Sequence, residues 1–202
     1  MQGQALKAHA RQQLGLPAHA RLVLFVGNDY LKKGLPALLQ ALAWPETNGL
    51  QLMVVGQPTH RARCEALAQS LDVHARVHFL SSLADVTPAY QAADVLAHPT
   101  TEDTYAMVVL EAMAHGLPVL VSGPAHCGIS AQLAPNEALQ LQDPHDDQAI
   151  ASALARITQD TDFAATLAEH GRRFASRHSW TEAAQAYEAL YLQCAQAART
   201  SA

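Results

Sequence analysis

Arg21-Leu22-Val23-Leu24-Phe25-Val26-Gly27 is the stretch from which the fold class can be read. After Arg21 it is unbroken aliphatic and aromatic sequence closed by a glycine, the pattern of a strand buried on both faces. A polar loop follows, and then Leu35, Leu38, Leu39 and Leu42 recur at helical spacing, with Pro36 in the first turn where a helix tolerates it. The same unit repeats outward from there. Leu50–Val55, Arg76–Leu80, Asp94–His98, Pro118–Val121 and Ala138–Leu141 read as strands. Between and after them, Arg61–Leu71, Thr87–Ala93, Ala106–His115, Asp147–Ile157 and Phe163–Phe174 read as helices, Thr87 serving as N-cap before Pro88. Strand–helix alternation of this kind predicts an α/β fold: a doubly wound parallel six-stranded sheet with helices on both faces.

The chain has 202 residues, 50% apolar and 15% charged, enough for one globular domain over 1–202 and too few for two full-sized ones. Thirteen Lys and Arg against eighteen Asp and Glu give a net charge of −5, which argues against a nucleic-acid partner. No apolar run approaches the roughly 18 residues of a membrane span. The N-terminal MQGQALKAHARQQ lacks the apolar core of a secretory signal. Cys64, Cys127 and Cys194 stand far apart, as reduced thiols of a cytosolic protein do. The first dozen residues and the tail after Gln196 are expected to fray. The last helix opens on Ser179-Trp180-Thr181-Glu182, a capping-box spacing, and carries Tyr187, Leu190, Tyr191 and Cys194 on one stripe.

In a doubly wound sheet, ligands bind beyond the carboxyl ends of the strands, at the switch point. Gly27 is followed by Asn28 and Asp29, so the Gly-x-Gly-x-x-Gly fingerprint fails, and no Gly-Lys-Ser/Thr loop exists. An ordinary dehydrogenase and a P-loop enzyme are thereby excluded. Of three lysines, Lys32 and Lys33 are adjacent and stand just before Gly34, where a helix starts. Cations beside a helix N-terminus suit a phosphate, because the dipole and free N–H groups add to their charge. A solubilising loop pair is the alternative; Gly27 and Gly34 favour the phosphate by permitting close backbone approach.

The second locus runs from His98-Pro99 to Glu111. Glu111 lies within Val-Val-Leu-Glu-Ala-Met-Ala, so its carboxylate is either on a single exposed stripe or held for a partner. Asp103, eight positions earlier, falls at the expected helix N-cap, a role that would explain it alone. As a pair, the two carboxylates can bind two hydroxyl-bearing parts of one ligand. Of eleven histidines, His74 and His78 stand at His-x3-His spacing, but at the start of a segment read as a strand, where positions four apart are too distant to share an ion, and no His-Glu-x-x-His occurs, so no metal is expected; His98 reads as a loop residue lining the site and His115 as a helix end. Asp143, His145, Asp146 and Asp147 read as a loop plus N-cap, and Trp180 as core or interdomain packing. Cys127 has nothing nearby to make it a nucleophile beyond a helix N-terminus.

Phe25-Val26-Gly27, Lys32-Lys33-Gly34-Leu35, Val54-Val55-Gly56, Arg76-Val77-His78-Phe79, Ala93-Asp94-Val95-Leu96-Ala97-His98-Pro99 and Glu111-Ala112-Met113-Ala114-His115-Gly116-Leu117-Pro118-Val119 occur in this order. Together they resemble the C-terminal half of a family-4 retaining glycosyltransferase (glycosyl transferases group 1), most closely the lipopolysaccharide-core glucosyltransferases. The resemblance runs from about Arg21 to Tyr191 and implies one half of a GT-B fold, a Rossmann-like domain at about 18–178 with a crossover helix at about 180–198. It implies that Lys32 and Lys33 grip the donor diphosphate, that Glu111 binds the ribose hydroxyls, and that Asp103 faces the donor sugar. The base would pack around Phe79, Leu80 and Ser81. Gly27, Asn28, Gly56, His98, Tyr105, Ala106 and Met107 would complete the donor site, with Lys32, Lys33 and Asp103 as the catalytic set.

The implied reaction is metal-free transfer of a hexose, with retention, from a nucleotide sugar such as UDP-glucose to a saccharide or lipopolysaccharide acceptor. No cofactor is implied. A cytoplasmic protein is expected, able to associate peripherally with the inner membrane. Asp103 stands where the family has glutamate, Glu102 is out of register with Glu111 by one, and Ala106 stands where the family has glycine. The acceptor-binding N-terminal domain is not in this sequence, so a separate chain would supply it; the alternative is a catalytically incomplete nucleotide-sugar-binding module.

Overall fold

Strand β1 (Arg21–Val26) lies in the middle of the sheet because its residues tolerate burial on both faces; Leu22 through Phe25 are inaccessible to solvent. The computed structural model describes residues 2–57 and 59–200. Around β1 stand β2 (Leu50–Val55), β3 (Val77–Leu80), β4 (Val95–His98), β5 (Val119–Ser122) and β6 (Leu139–Leu141). All pairings are parallel, in the order β3-β2-β1-β4-β5-β6. The chain runs from β1 out to β3 and returns to β4 on the other side of β1, so a crevice opens between the carboxyl ends of β1 and β4.

The helices are α1 (Gln2–Gln13), α2 (Leu35–Ala41), α3 (Arg61–Ser70), α4 (Thr87–Ala92), α5 (Met107–Ala114), α6 (Asp147–Gln159), α7 (Thr161–Ser176) and α8 (Trp180–Thr200). Alternation along β1 sends Val23 and Phe25 into one core and Leu22 and Leu24 into the other. The first core is closed by α2, α3 and α6 through residues such as Leu38, Cys64 and Leu154. The second is closed by α1, α4 and α5 through Ala10, Tyr90, Val109 and Met113. Helix α7 sends Leu167 to the first core and Phe174 to the second.

The first dozen residues, expected to fray, instead form α1, docked on α4. The reason is polar and distant in sequence. Arg11 is buried and donates to the carbonyls of Ala92 (2.9 Å) and Ala18 (2.7 Å) and to Asp94 (2.8 Å). Asp94 also accepts from Lys7 and from the backbone N–H of Leu22, so one carboxylate ties α1 to the start of β1. In the tail after Gln196, also expected to fray, the backbone stays helical to Thr200, and residues 201 and 202 lie outside the described ones. Helix α4 is capped one residue earlier than Thr87, at Val86, because Asp85 accepts from the Thr87 N–H at 2.9 Å.

Trp180 is not core packing: it is 87% exposed, at the start of a helix that carries Tyr187, Leu190 and Tyr191 into solvent. Ser179 does cap that helix, its hydroxyl accepting from the Glu182 N–H at 3.2 Å. Asp146 caps α6 by accepting from Ala149, as the loop-plus-cap reading requires. No helix among the described residues is long and apolar enough to cross a membrane.

Candidate functional site

Two loops beyond the carboxyl ends of β1 and β4 are locked together at the crevice. After β1, the Asp29 carboxylate accepts from the Lys32 N–H at 3.1 Å and its carbonyl from the Lys33 N–H at 2.9 Å, winding the chain into a turn that ends at Gly34. Gly34 caps α2 with φ +81°, and a Cβ there would lie 1.8 Å from the carbonyl oxygen of Pro99 in the β4 loop. Only glycine allows that approach. The Lys32 carbonyl takes the Thr101 N–H at 2.8 Å and the Thr100 hydroxyl at 3.0 Å, fastening the loops a second time.

The joint brings Lys33 onto Asp103. The ammonium donates to Asp103 Oδ2 at 2.6 Å and to the Glu102 carbonyl at 3.2 Å. Asp103 Oδ2 also faces His98 Nε2 at 3.0 Å, while Oδ1 accepts from the backbone N–H of Ala106 (2.8 Å) and Tyr105 (3.3 Å). The His98 hydrogen bond, with those from Lys33 and Ala106, holds the Asp103 carboxyl well below its usual range in spite of burial. A carboxylate only accepts, so His98 Nε2 carries the proton. His98 is 1% exposed, and its Nδ1 has no partner among the described residues. It therefore supports Asp103 from below rather than lining the open site. Lys32 is exposed and, among the described residues, its ammonium pairs with the exposed Glu102 at 3.2 Å.

Asp103 is not the N-cap of α5. Ala106 holds that place with φ 59°, ψ 65°, a left-handed conformation that disfavours any Cβ, and offers no side-chain cap to the first turn. A glycine, which the resemblance places at this position, would take that conformation without the cost a Cβ adds. On its far side the acidic loop is pinned to the loop after β5: the Asp103 N–H donates to the His126 carbonyl at 2.8 Å, and the Gly128 N–H to the Asp103 carbonyl at 3.0 Å. Cys127 between them is buried, and burial pushes its thiol up.

Glu111, one helix down, has a partner that the sequence reading missed. The Tyr90 hydroxyl donates to Glu111 Oε2 at 2.6 Å. The one available signal was a tyrosine in an apolar helix, since a buried hydroxyl must find an acceptor. Around β2, Gly56 with φ +140° leaves room for the Gly27 carbonyl, which a Cβ would approach to 2.1 Å. Asn28 accepts from the Gln57 N–H at 2.9 Å. Gln57, Thr59, Ser81 and Ser82 then line a cleft of about 500 Å³ between the loops after β2 and β3. Phe79 is turned toward Tyr30 and Arg61. Tyr105 and Met107 line a separate apolar groove of about 460 Å³ with Leu110, Trp180, Ala183 and Ala186. Of the expected residues, then, Lys33, His98 and Ala106 are each bonded to Asp103; Gly27, Asn28 and Gly56 adjoin Gln57 at the cleft that Ser81 lines; Tyr105 and Met107 face α8. Among the described residues, no three His, Cys, Asp or Glu side chains converge as a metal site.

Residues 7–174 match the family described as Glycosyl transferases group 1. A D-inositol 3-phosphate glycosyltransferase of Corynebacterium urealyticum is 34% identical over 195 residues, 91% of this chain and 45% of that protein. The lipopolysaccharide glucosyltransferase WaaG of Escherichia coli K12 is 35% identical over 169 residues, 82% of this chain and 44% of that protein. Anabaena Alr3699/HepE, solved in complex with UDP-glucose, superposes with a TM-score of 0.81 at 25% identity, over 93% of this chain and 52% of that one. The chain spans about half the length of the relatives it matches.

Proposed function

The chain belongs to the glycosyl transferases group 1 family, and from that premise we propose that it is the donor-binding half of a GT-B glycosyltransferase. The observation that carries the proposal is the Lys33–Asp103 pair, 2.6 Å apart at the β1/β4 crevice, beside an α5 N-terminus that no side chain caps. A nucleotide diphosphate laid there replaces Asp103 and Glu102 as the anion facing Lys33 and Lys32. It also meets the positive end of α5, so charge developing on the departing diphosphate is stabilised by groups already in place. Asp103, kept ionised by His98, orients the hydroxyls of the donor sugar. Glu111 accepts from the ribose, and the base enters the cleft near Ser81. The donor is a UDP-hexose, and transfer proceeds with retention and without a metal. Support for UDP-glucose comes from the UDP-glucose complex of Alr3699/HepE and from the glucosyltransferase WaaG among the relatives.

The acceptor, a saccharide or lipid-linked saccharide of the cell envelope, is held by a second domain at the cytoplasmic face of the membrane. A second reading, a nucleotide-sugar-binding module without catalysis of its own, is favoured by Ala106, whose Cβ occupies a left-handed position at the N-terminus of α5. The test is calorimetric titration with UDP, UDP-glucose and GDP, without metal, of the wild type, Lys33→Ala and Glu111→Ala. Binding of one nucleotide that both substitutions abolish is the expected result. A folded wild type that binds none of them refutes the donor site.

A further inference from the structure

Glu111 sits on a helix whose neighbouring positions Val109, Leu110, Ala112 and Met113 are buried, yet among the described residues no lysine, arginine or histidine pairs with it. A carboxylate on a flexible stem spreads over several rotamers and loses that freedom when a ligand binds. Here one group removes it beforehand. Tyr90 is 1% exposed, and its hydroxyl donates to Glu111 Oε2 at 2.6 Å, the short distance of a charge-assisted bond. The phenol is itself fixed: its ring stacks on His115, centroids 5.2 Å apart and planes 10° from parallel. His115 lies one turn beyond Glu111, its N–H bonded to the Glu111 carbonyl at 3.1 Å. Burial and the adjoining carboxylate both push the Tyr90 hydroxyl up, so it remains a donor throughout the neutral range.

We propose that Tyr90 is a positioning residue that holds Glu111 as an acceptor-only fork, and so sets the preference of this site for ribonucleotides over deoxyribonucleotides. The proposal rests on the reading above of Glu111 as the ribose ligand. With one lone pair of Oε2 occupied by the phenol, the carboxylate offers Oε1 and what remains of Oε2, and neither can donate. Only a ligand group bearing N–H or O–H donors satisfies both, and a ribose diol supplies two such donors. A ligand lacking those hydroxyls leaves the fork desolvated and unpaired, the situation in which polar sites discriminate most strongly.

The experiment is titration of the full chain with UDP and 2′,3′-dideoxy-UDP, and with GDP and 2′,3′-dideoxy-GDP. Tyr90→Phe keeps the ring and its stack on His115 and removes only the donor. It is expected to weaken binding of the preferred ribonucleotide about tenfold, the value of one strong hydrogen bond, and to leave the dideoxy analogue within a factor of about two. The ribo-to-dideoxy ratio therefore collapses. A merely structural role for Tyr90 weakens both ligands alike, or neither, and either result overturns the proposal. Should Tyr90→Phe prove unfolded in a thermal melt, Tyr90→Phe/Glu111→Met, which removes both ends of the bond, is compared with Glu111→Met. The ratio should be low and equal in the two, and a further fall on adding Tyr90→Phe overturns the proposal. A wild type that binds neither nucleotide, or a Glu111→Ala variant that keeps the ratio, defeats the donor-site reading as well. A ratio lost in Glu111→Ala but kept in Tyr90→Phe defeats this inference alone.

Discussion

Replacing Gly34 by alanine is expected to open the joint on which the site is built. Gly34 has φ +81°, where an L side chain costs about 1–2 kcal/mol. The new Cβ would also fall 1.8 Å from the Pro99 carbonyl oxygen, a backbone atom that no rotamer change can move. Forced overpacking of this kind adds about 1–3 kcal/mol. Alanine's smaller unfolded-state entropy offsets about 0.4–1 kcal/mol. The net loss is about 3 kcal/mol, or about 6–12 °C in Tm for a chain of this size. Gly49→Ala is the matched control: φ is +84°, yet nothing lies within 4 Å of its Cβ, so only the conformational cost remains. That leaves about 1 kcal/mol, or about 2–4 °C. Both variants are followed by circular dichroism during thermal unfolding and then titrated with UDP. Gly34→Ala should be the less stable of the two and should lose binding, because Lys33 is the preceding residue and the Pro99 loop carries Asp103. Equal losses of stability would refute the close-approach argument.

Asp103 has its pKa lowered from the ordinary 3.8, so the unfolded chain takes up this proton first as the pH falls. Its contribution is complete above about pH 5 and is lost as the pH drops through the unfolded value toward the folded one. Asp103→Asn should therefore cost about 2 kcal/mol at pH 7 and progressively less below about pH 4, read from urea unfolding at each pH. A pH-independent difference would count against the His98–Asp103–Lys33 cluster. Arg11→Ala should cost about 2–3 kcal/mol, because the carbonyl of Ala92 and the carboxylate of Asp94 lose a buried donor. Lys7→Ala, whose side chain is 32% exposed, should cost under about 1 kcal/mol; equal effects in urea titrations would contradict the docking of α1. In native protein at pH 8, iodoacetamide should modify Cys194 alone, since Cys64 and Cys127 are buried and burial raises the Cys64 thiol to about 11. Mass spectrometry showing Cys127 modified as fast as Cys194 would refute that environment.

The sequence by itself determined what depends on neighbours along the chain. A buried parallel strand must be apolar on both faces, so Arg21–Val26 and its counterparts declared themselves, and alternation with helical periodicity then left one fold class. Local capping was equally legible at Ser179 and Asp146, where cap and capped residue are three apart. Lys32, Lys33 and Glu111 were visible as residue types out of place: lysines in a chain with almost none, and a carboxylate on an apolar helix. The tertiary structure alone decided who meets whom. Strand order sets β1 beside β4, and only this brings Lys33 to Asp103 across 70 positions of sequence. The same return of the chain carries Asp94 to Arg11 and makes a docked helix of a segment with too little apolar surface to announce one. It also places Tyr90 under Glu111 and turns Ala106 into the cap that Asp103 was expected to be. Periodicity reports which face of an element is buried; the partner of a single polar atom is fixed by chain crossings far away in sequence, which no local pattern records.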